Sequence, residues 1–215
     1  MKKYLVLGIL FVLPLVTYLF FASGVNNFMK LPVLTENVAE INSFRTLSGN
    51  PVSLSGKITI LGFFGNDLEY KKGNAFNLNQ KIYKRFYEFD DFQFVVVVPD
   101  SPENERKITS LKAELSSLTD TRNWRFVFAN PNKITALFNS LGTNLKLDDN
   151  YGLDEVFIVD KDRNLRGRKD DELLYGFDAT SVAEINNKME DDVKVLLAEY
   201  RLALKRNNKY LNEAE

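Results

Sequence analysis

The alternation of apolar and polar positions sets the amino terminus apart from everything after it. Lys2 and Lys3 precede a nearly unbroken apolar run at residues 4–22 (YLVLGILFVLPLVTYLFFA), interrupted by Pro14 and Thr17. As a helix this run is roughly 28 Å long, close to the hydrocarbon thickness of a bilayer. We therefore expect residues 1–24 to form a signal anchor, an N-terminal transmembrane helix. A cleaved signal peptide has a shorter apolar core, about 7–15 residues. Ala22, Ser23 and Gly24 supply small residues for cleavage, so length favours the anchor and leaves cleavage open. The two lysines keep the amino terminus cytoplasmic and put the remainder across the membrane.

Residues 25–43 read as linker and extended lead-in. A short strand near 41–47, the turn Ser48-Gly49-Asn50-Pro51 and an extended stretch at 52–54 predict a small hairpin before the first core strand. The run Ile58–Phe64 is apolar throughout, as in a strand buried on both faces. Residues 65–73 (GNDLEYKKG) read as a polar loop. From Asn74 the positions Leu78, Ile82, Phe86 and Phe89 recur at helical spacing. A strand at 92–98 (FQFVVVV) ends at Pro99, and Ile108, Leu111, Leu115 and Leu118 mark a helix over 103–118.

A third strand follows at 124–128 (WRFVF). Asn130-Pro131 then opens a helix with a capping side chain and a proline in the first turn. Ile134, Leu137, Phe138 and Leu141 form its buried stripe, and Gly142 stops it. Residues 143–154 are an aspartate-rich loop, 155–159 a fourth strand, 160–164 (DKDRN) a turn, and 165–168 a short returning strand. Ser181 and Glu184 fit a capping box for a long last helix carrying Val182, Ile185, Met189, Val193, Leu196 and Tyr200 on one face. The polar tail 206–215 is expected to fray.

The order β-α-β-α-β-α-β-β-α gives parallel strands through right-handed crossovers and a late antiparallel hairpin. That is an α/β fold: a thioredoxin-like twisted mixed β-sheet flanked by helices, occupying residues 44–205.

Composition narrows the chemistry sharply. The chain of 215 residues contains no cysteine and no histidine. Disulfides, thiol nucleophiles and thiolate or imidazole metal sites are therefore excluded, as are Ser–His–Asp and Cys–His mechanisms. Removing Lys2 and Lys3 takes the formal charge from −1 to −3, which gives no electrostatic case for nucleic acid. Both common glycine-rich phosphate loops are missing, so nothing points to a nucleotide. No cofactor is expected.

The exported part resembles the Sco/SenC family of membrane-tethered thioredoxin-fold proteins over about residues 44–197. The resemblance is carried by the anchor, SLSGK at 53–57, and the strand ending in Phe63-Phe64. It continues in FVVVVPD at 94–100, Asn123 and Trp124 with Phe126, and FIVDKDRNLRG at 157–167. It implies a place on the bacterial inner membrane, single-pass, with the domain in the periplasm, and a copper-binding or thiol-disulfide role in assembling cytochrome oxidase. It also implies a Cys-x-x-x-Cys pair just after the Phe-rich strand and a histidine shortly before the strand at 156–159. This chain has GNDLEYKK at 65–72 and NYGLD at 150–154 instead. The reading that follows is a non-catalytic envelope protein acting through protein contacts, with an unknown envelope partner.

Asn66, Asp67, Glu69, Tyr70, Lys71 and Lys72 are the candidate binding loop, because loops at the carboxyl ends of parallel strands are where such sheets bind. The plainer reading is a solvated loop. An envelope enzyme or ligand-binding protein using those residues is the alternative. Asp148, Asp149 and Asp154 could join Asp67 and Glu69 around a hard cation, though ordinary solubilising acids explain them more simply. Asp170, Asp171 and Glu172, after Arg163, Arg166, Arg168 and Lys169, suggest an exposed hairpin with weak ion pairs or a docking patch. Tyr200, Leu204 and Leu211 could face a neighbour from the last helix.

Overall fold

A computed structural model describes residues 2–23, 30–169 and 175–212. Helix α1 (Lys2–Ser23) is 22 residues long, and its described side chains at 8–19 are all exposed. Among the described residues no helix is long and apolar enough to cross a membrane. The linker residues 24–29, the acidic run Asp170–Glu172 and the last three residues lie outside the described residues.

The sheet has the order β1 (Val33–Thr35), β7 (Leu165–Arg166), β6 (Gly152–Val159), β3 (Ile58–Phe64), β4 (Phe92–Pro99), β5 (Trp124–Ala129), β2 (Arg45–Thr46), with β8 (Phe177–Asp178) pairing β6 beside β7. Its centre is the expected set: β3 (Ile58–Phe64), β4 (Phe92–Pro99) and β5 (Trp124–Ala129), parallel to one another, with β6 (Gly152–Val159) antiparallel to β3. These strands read as continuous apolar runs because both faces are covered. On one face Ile58, Ile60, Phe94, Val96 and Phe126 meet α2, α3 and α5; on the other Leu61, Phe63, Val95, Val97 and Val127 meet α4 and the lead-in. Here α2 runs from Leu68–Leu78 through a π-turn at Asn79–Tyr83 to Lys84–Phe86. Helix α3 is Pro102–Ser116 and α4 is Pro131–Asn139. Helix α5 begins at Val182–Glu184, passes a π-turn at Ile185–Met189 and continues as Glu190–Asn212.

Aromatic ring contacts, mostly edge-to-face, run through each layer. Phe63 lies 5.4 Å from Phe138 and 6.2 Å from Phe157. Opposite them, Tyr83 meets Phe94 at 5.4 Å, and Phe94 lies 4.7 Å from Trp124. The two π-turns pack against each other on this face. In the first, Asn79 accepts from Trp124 Nε1 at 3.2 Å and donates to Thr119 Oγ1 at 3.3 Å, which satisfies a fully buried amide.

Several expectations are corrected. Among the described residues no hairpin precedes β3: β1 (Val33–Thr35) pairs with β7 (Leu165–Arg166) and β2 (Arg45–Thr46) with β5, so the lead-in adds a short strand at each edge of the sheet. Val38 and Ile41, placed in the linker by their sequence, are fully buried. The polar stretch at 65–73 is largely helix, since α2 starts at Leu68 rather than at Asn74. Strand β6 starts at Gly152, three residues early, and gains β8 (Phe177–Asp178) as a partner. Phe89 and Leu118, expected in buried stripes, are exposed because each lies past the end of its helix. Helix α5 runs to Asn212, beyond the expected frayed point. The capping box forms by half: Ser181 Oγ accepts from Glu184 N–H, while the Glu184 carboxylate accepts from Asp178 N–H instead.

Candidate functional site

The turn between β3 and α2 is the point from which the candidate residues are positioned. Gly65 has φ +64°, and a Cβ there would meet Asn150 O at 2.4 Å and Gly152 N at 2.6 Å. Only glycine allows the two segments to approach this closely. Asn66 N–H then donates to Asn150 O at 2.9 Å. The second segment is fixed by Asp148, whose Oδ1 accepts from Asn150 N–H at 2.8 Å and Gly152 N–H at 2.7 Å. The two stretches singled out in the sequence, 65–72 and 150–154, are therefore in direct contact.

Their closest polar union is buried. Lys71 is 3% exposed, and its Nζ lies 2.6 Å from Asp154 Oδ1. Asn74 Nδ2 donates to the same oxygen at 2.9 Å, and the Tyr70 ring centroid is 5.3 Å from the ammonium. Helical spacing aims Leu68, Lys71, Ala75 and Leu78 inward, so Lys71 occupies an apolar position of the stripe and needs its carboxylate there.

The six candidate residues do not act as one loop. Asn66 and Asp67 precede the helix, and Asn66 Oδ1 accepts from Asn104 Nδ2 at 2.9 Å. The Asp67 side chain does not cap the helix. Glu69 and Tyr70 face outward, Tyr70 being 64% exposed. Lys72 turns to α3 and meets Glu114 at 2.6 Å, a hydrogen bond that holds its ammonium above the ordinary lysine value.

The acidic residues do not converge either. Asp148 holds its own turn, Asp154 holds Lys71, and Asp149 is exposed. Among the described residues no group of three or more metal-ligating side chains forms. A cleft of about 300 Å³ does open beside Lys71, lined by Lys146, Asp148, Asp154, Asp178 and Thr180. Its walls are mostly polar and charged, unlike the mostly apolar lining of a small-molecule site.

The basic run 163–168 is not an exposed patch, which corrects the expectation for it. Arg166 is 5% exposed; it donates to Asp160 at 2.8 Å, to Glu199 at 2.6 Å and to Leu31 O at 2.9 Å. Arg168 is bidentate to the buried Asp192. Arg163 donates to Val38 O at 3.1 Å. Tyr200 is half-buried; burial, then Asp160 and Asp162, push its hydroxyl above the ordinary tyrosine value. The side chains of Leu204 and Leu211 lie outside the described residues.

Sequence reasoning missed Lys71, Asn74 and Asn104 as inward-facing residues. The available signal was Leu68, which continues the apolar stripe of α2 to nearly three turns ahead of Leu78.

A mixed sheet with three parallel central strands, an antiparallel β6 and helices on both faces defines a thioredoxin-like α/β domain. Solved structures of low identity share it. A Sco/SenC family lipoprotein from Bacillus anthracis is 20% identical and superimposes with a TM-score of 0.55 over 79% of this chain and 99% of that one. BsSco, a member of the Sco family of cytochrome c oxidase assembly proteins, gives 16% identity and 0.54 over 78% and 98%. A putative protein disulfide isomerase from Bacteroides thetaiotaomicron gives 14% and 0.53 over 79% and 95%. No family model and no curated protein matches the sequence. In fold, this is a thioredoxin-like domain similar to Sco/SenC proteins and to disulfide isomerases, and its sequence has no cysteine and no histidine.

Proposed function

We propose that this is a non-catalytic, membrane-tethered thioredoxin-fold protein of the bacterial cell envelope, acting through contacts with other envelope proteins in the assembly of respiratory complexes. The observation that carries this reading is the Lys71–Asp154 pair, a buried ion pair joining the two segments where the resemblance sets copper ligands. Asn66, Lys71, Asn150 and Asp154 offer hard oxygen and nitrogen donors, whereas copper in such sites selects thiolate, thioether and imidazole. The residues do not fit that metal. The fold likeness to a protein described as a cytochrome c oxidase assembly factor supports the choice of process.

The anchor rests on residues 4–22: Lys2 and Lys3 ahead of the run, its length, and the helix it forms with exposed apolar side chains such as Leu10 and Phe11. Weighing against the alternative, an enzyme or ligand-binding protein built on Asn66–Lys72, is the dispersal of those side chains in three directions.

Photo-crosslinking from Asn66, Glu69 and Tyr70 in native membranes tests the reading. Recovery of oxidase subunits or their assembly factors is expected. Stoichiometric Cu(I) binding by the purified protein, or capture only of proteins unrelated to respiration, would overturn it.

A further inference from the structure

A groove beside β2 carries a charge that the chain as a whole does not. Its volume is about 280 Å³, and Lys112, Arg122 and Arg125 line it with one carboxylate, that of Asp120. Three cations against one anion leave two positive charges there, in a chain whose formal charge is −1. A concave surface walled by low-dielectric protein concentrates such a field.

The cations are carried by three different elements: Lys112 by α3, Arg122 by the turn after it and Arg125 by β5. Asp120 engages one side of Arg122, its Oδ2 accepting from Nε at 2.8 Å and lying 2.7 Å from Nη2. That contact orients the guanidinium and leaves Nη1 to the groove. Lys112 and Arg125 are half-buried, and among the described residues neither side chain has an ion pair or a hydrogen bond. The Ser48 hydroxyl, also in the lining, makes no hydrogen bond among the described residues either.

A doubly charged oxyanion answers both features. Its charge equals the local surplus, and its several oxygens accept from donors arriving on several sides. A single carboxylate would leave one positive charge over. The volume lies just under the range of about 300–1,000 Å³ usual for drug-sized ligands, so the occupant is small.

We propose that this groove binds a small phosphate monoester. Lys112, Arg122 and Arg125 hold its phosphoryl oxygens, and Ser48 adds a neutral donor. The site is separate from the Lys71–Asp154 contact, which lies across β3 and β4 on β6, and it does not depend on the reading by protein contacts.

The chain has one tryptophan, Trp124, which lines the groove, so its fluorescence reads occupancy. The test titrates the full chain in detergent micelles with phenyl phosphate, and calorimetry on the same samples supplies a readout independent of the indole. Saturable binding that weakens as salt is raised is expected. Lys112→Gln with Arg125→Gln should lower the affinity about tenfold or more. The unfolding midpoint should stay unchanged, because neither side chain holds another group. Benzoate keeps the ring with a single charge and should bind about tenfold more weakly. The proposal is overturned if neither readout saturates, if the double variant binds as tightly as the parent, or if benzoate matches phenyl phosphate. It is also overturned if a phosphoserine peptide or phosphatidic acid vesicles bind more tightly than phenyl phosphate, which would assign the groove to a phosphorylated protein or a lipid surface.

Discussion

Lys71 and Asp154, 83 positions apart in the chain, meet at 2.6 Å beneath the first turns of α2. The lysine side chain is 4% exposed and the aspartate 35%, so the cation is the more deeply committed partner. Such a pair is worth less than it would cost to break, because the cation left behind has no water to replace its anion.

Asp154→Ala should therefore destabilise the domain by about 2–3 kcal/mol, below the range for a fully buried pair because the carboxylate is partly solvated. Lys71→Met, which removes the charge and keeps the length of the side chain, should cost under about 1 kcal/mol. Urea unfolding followed by circular dichroism measures both. Equal losses in the two variants would show that packing, not charge, holds α2 to β6.

Arg166 gives a second contrast. Its removal by Arg166→Ala leaves Asp160, whose side chain is 1% exposed, without its cation and cuts the links to Leu31 and Glu199. A loss of about 3–5 kcal/mol is expected. Arg122→Ala breaks a pair whose partners are 62% and 47% exposed and should cost under about 1 kcal/mol. Chemical denaturation of both variants against the parent settles the ratio.

Glu40 ties the lead-in to the turn before β3. Burial alone would raise its carboxyl, but N–H groups of Leu54, Ile41 and Ser55 and the Ser53 hydroxyl outweigh it and hold the group below the ordinary value of 4.5. A depressed folded value means the proton binds the unfolded chain more readily. The contribution is therefore complete above the ordinary value and lost as the pH falls through the lower, folded one. Glu40→Gln should remove this part of the acid dependence. Unfolding midpoints measured across mildly acidic pH should fall more steeply for the parent than for the variant.

Gly65 and Gly49 both have positive φ, +64° and +77°, but differ in space. A Cβ at Gly49 meets nothing within 4 Å, so Gly49→Ala should cost about 1 kcal/mol from backbone conformation alone. At Gly65 the added carbon would lie 2.4 Å from a carbonyl oxygen. Gly65→Ala should cost at least about 3 kcal/mol and separate the 65–67 turn from the 148–152 turn. Amide hydrogen exchange at Asn66, whose N–H bonds Asn150 O, reports that separation directly.

The legible part of the fold is the part built on apolar contrast. The runs at 58–64, 92–98 and 124–128 were readable as buried strands because every second residue feeds one of two cores. The caps at Asn130 and Ser181 were readable because a short polar side chain before an apolar stripe has a local partner, Lys133 N–H and Glu184 N–H. The first turns of α2 were not, since Lys71 and Asn74 look like loop residues until Asp154 is placed beside them. Arg166 reads as an exposed cation for the same reason, its partners lying at Asp160, Glu199 and Leu31.

By itself the sequence determined the order of the central strands and helices, and it removed thiol and imidazole chemistry, since no fold can supply a side chain the chain lacks. The tertiary structure alone decided which polar residues go inside and which strands close the sheet. Hydrophobic periodicity records the burial of apolar groups, whereas a buried charge or an edge strand is stabilised by a partner far along the chain, and only folding brings that partner near.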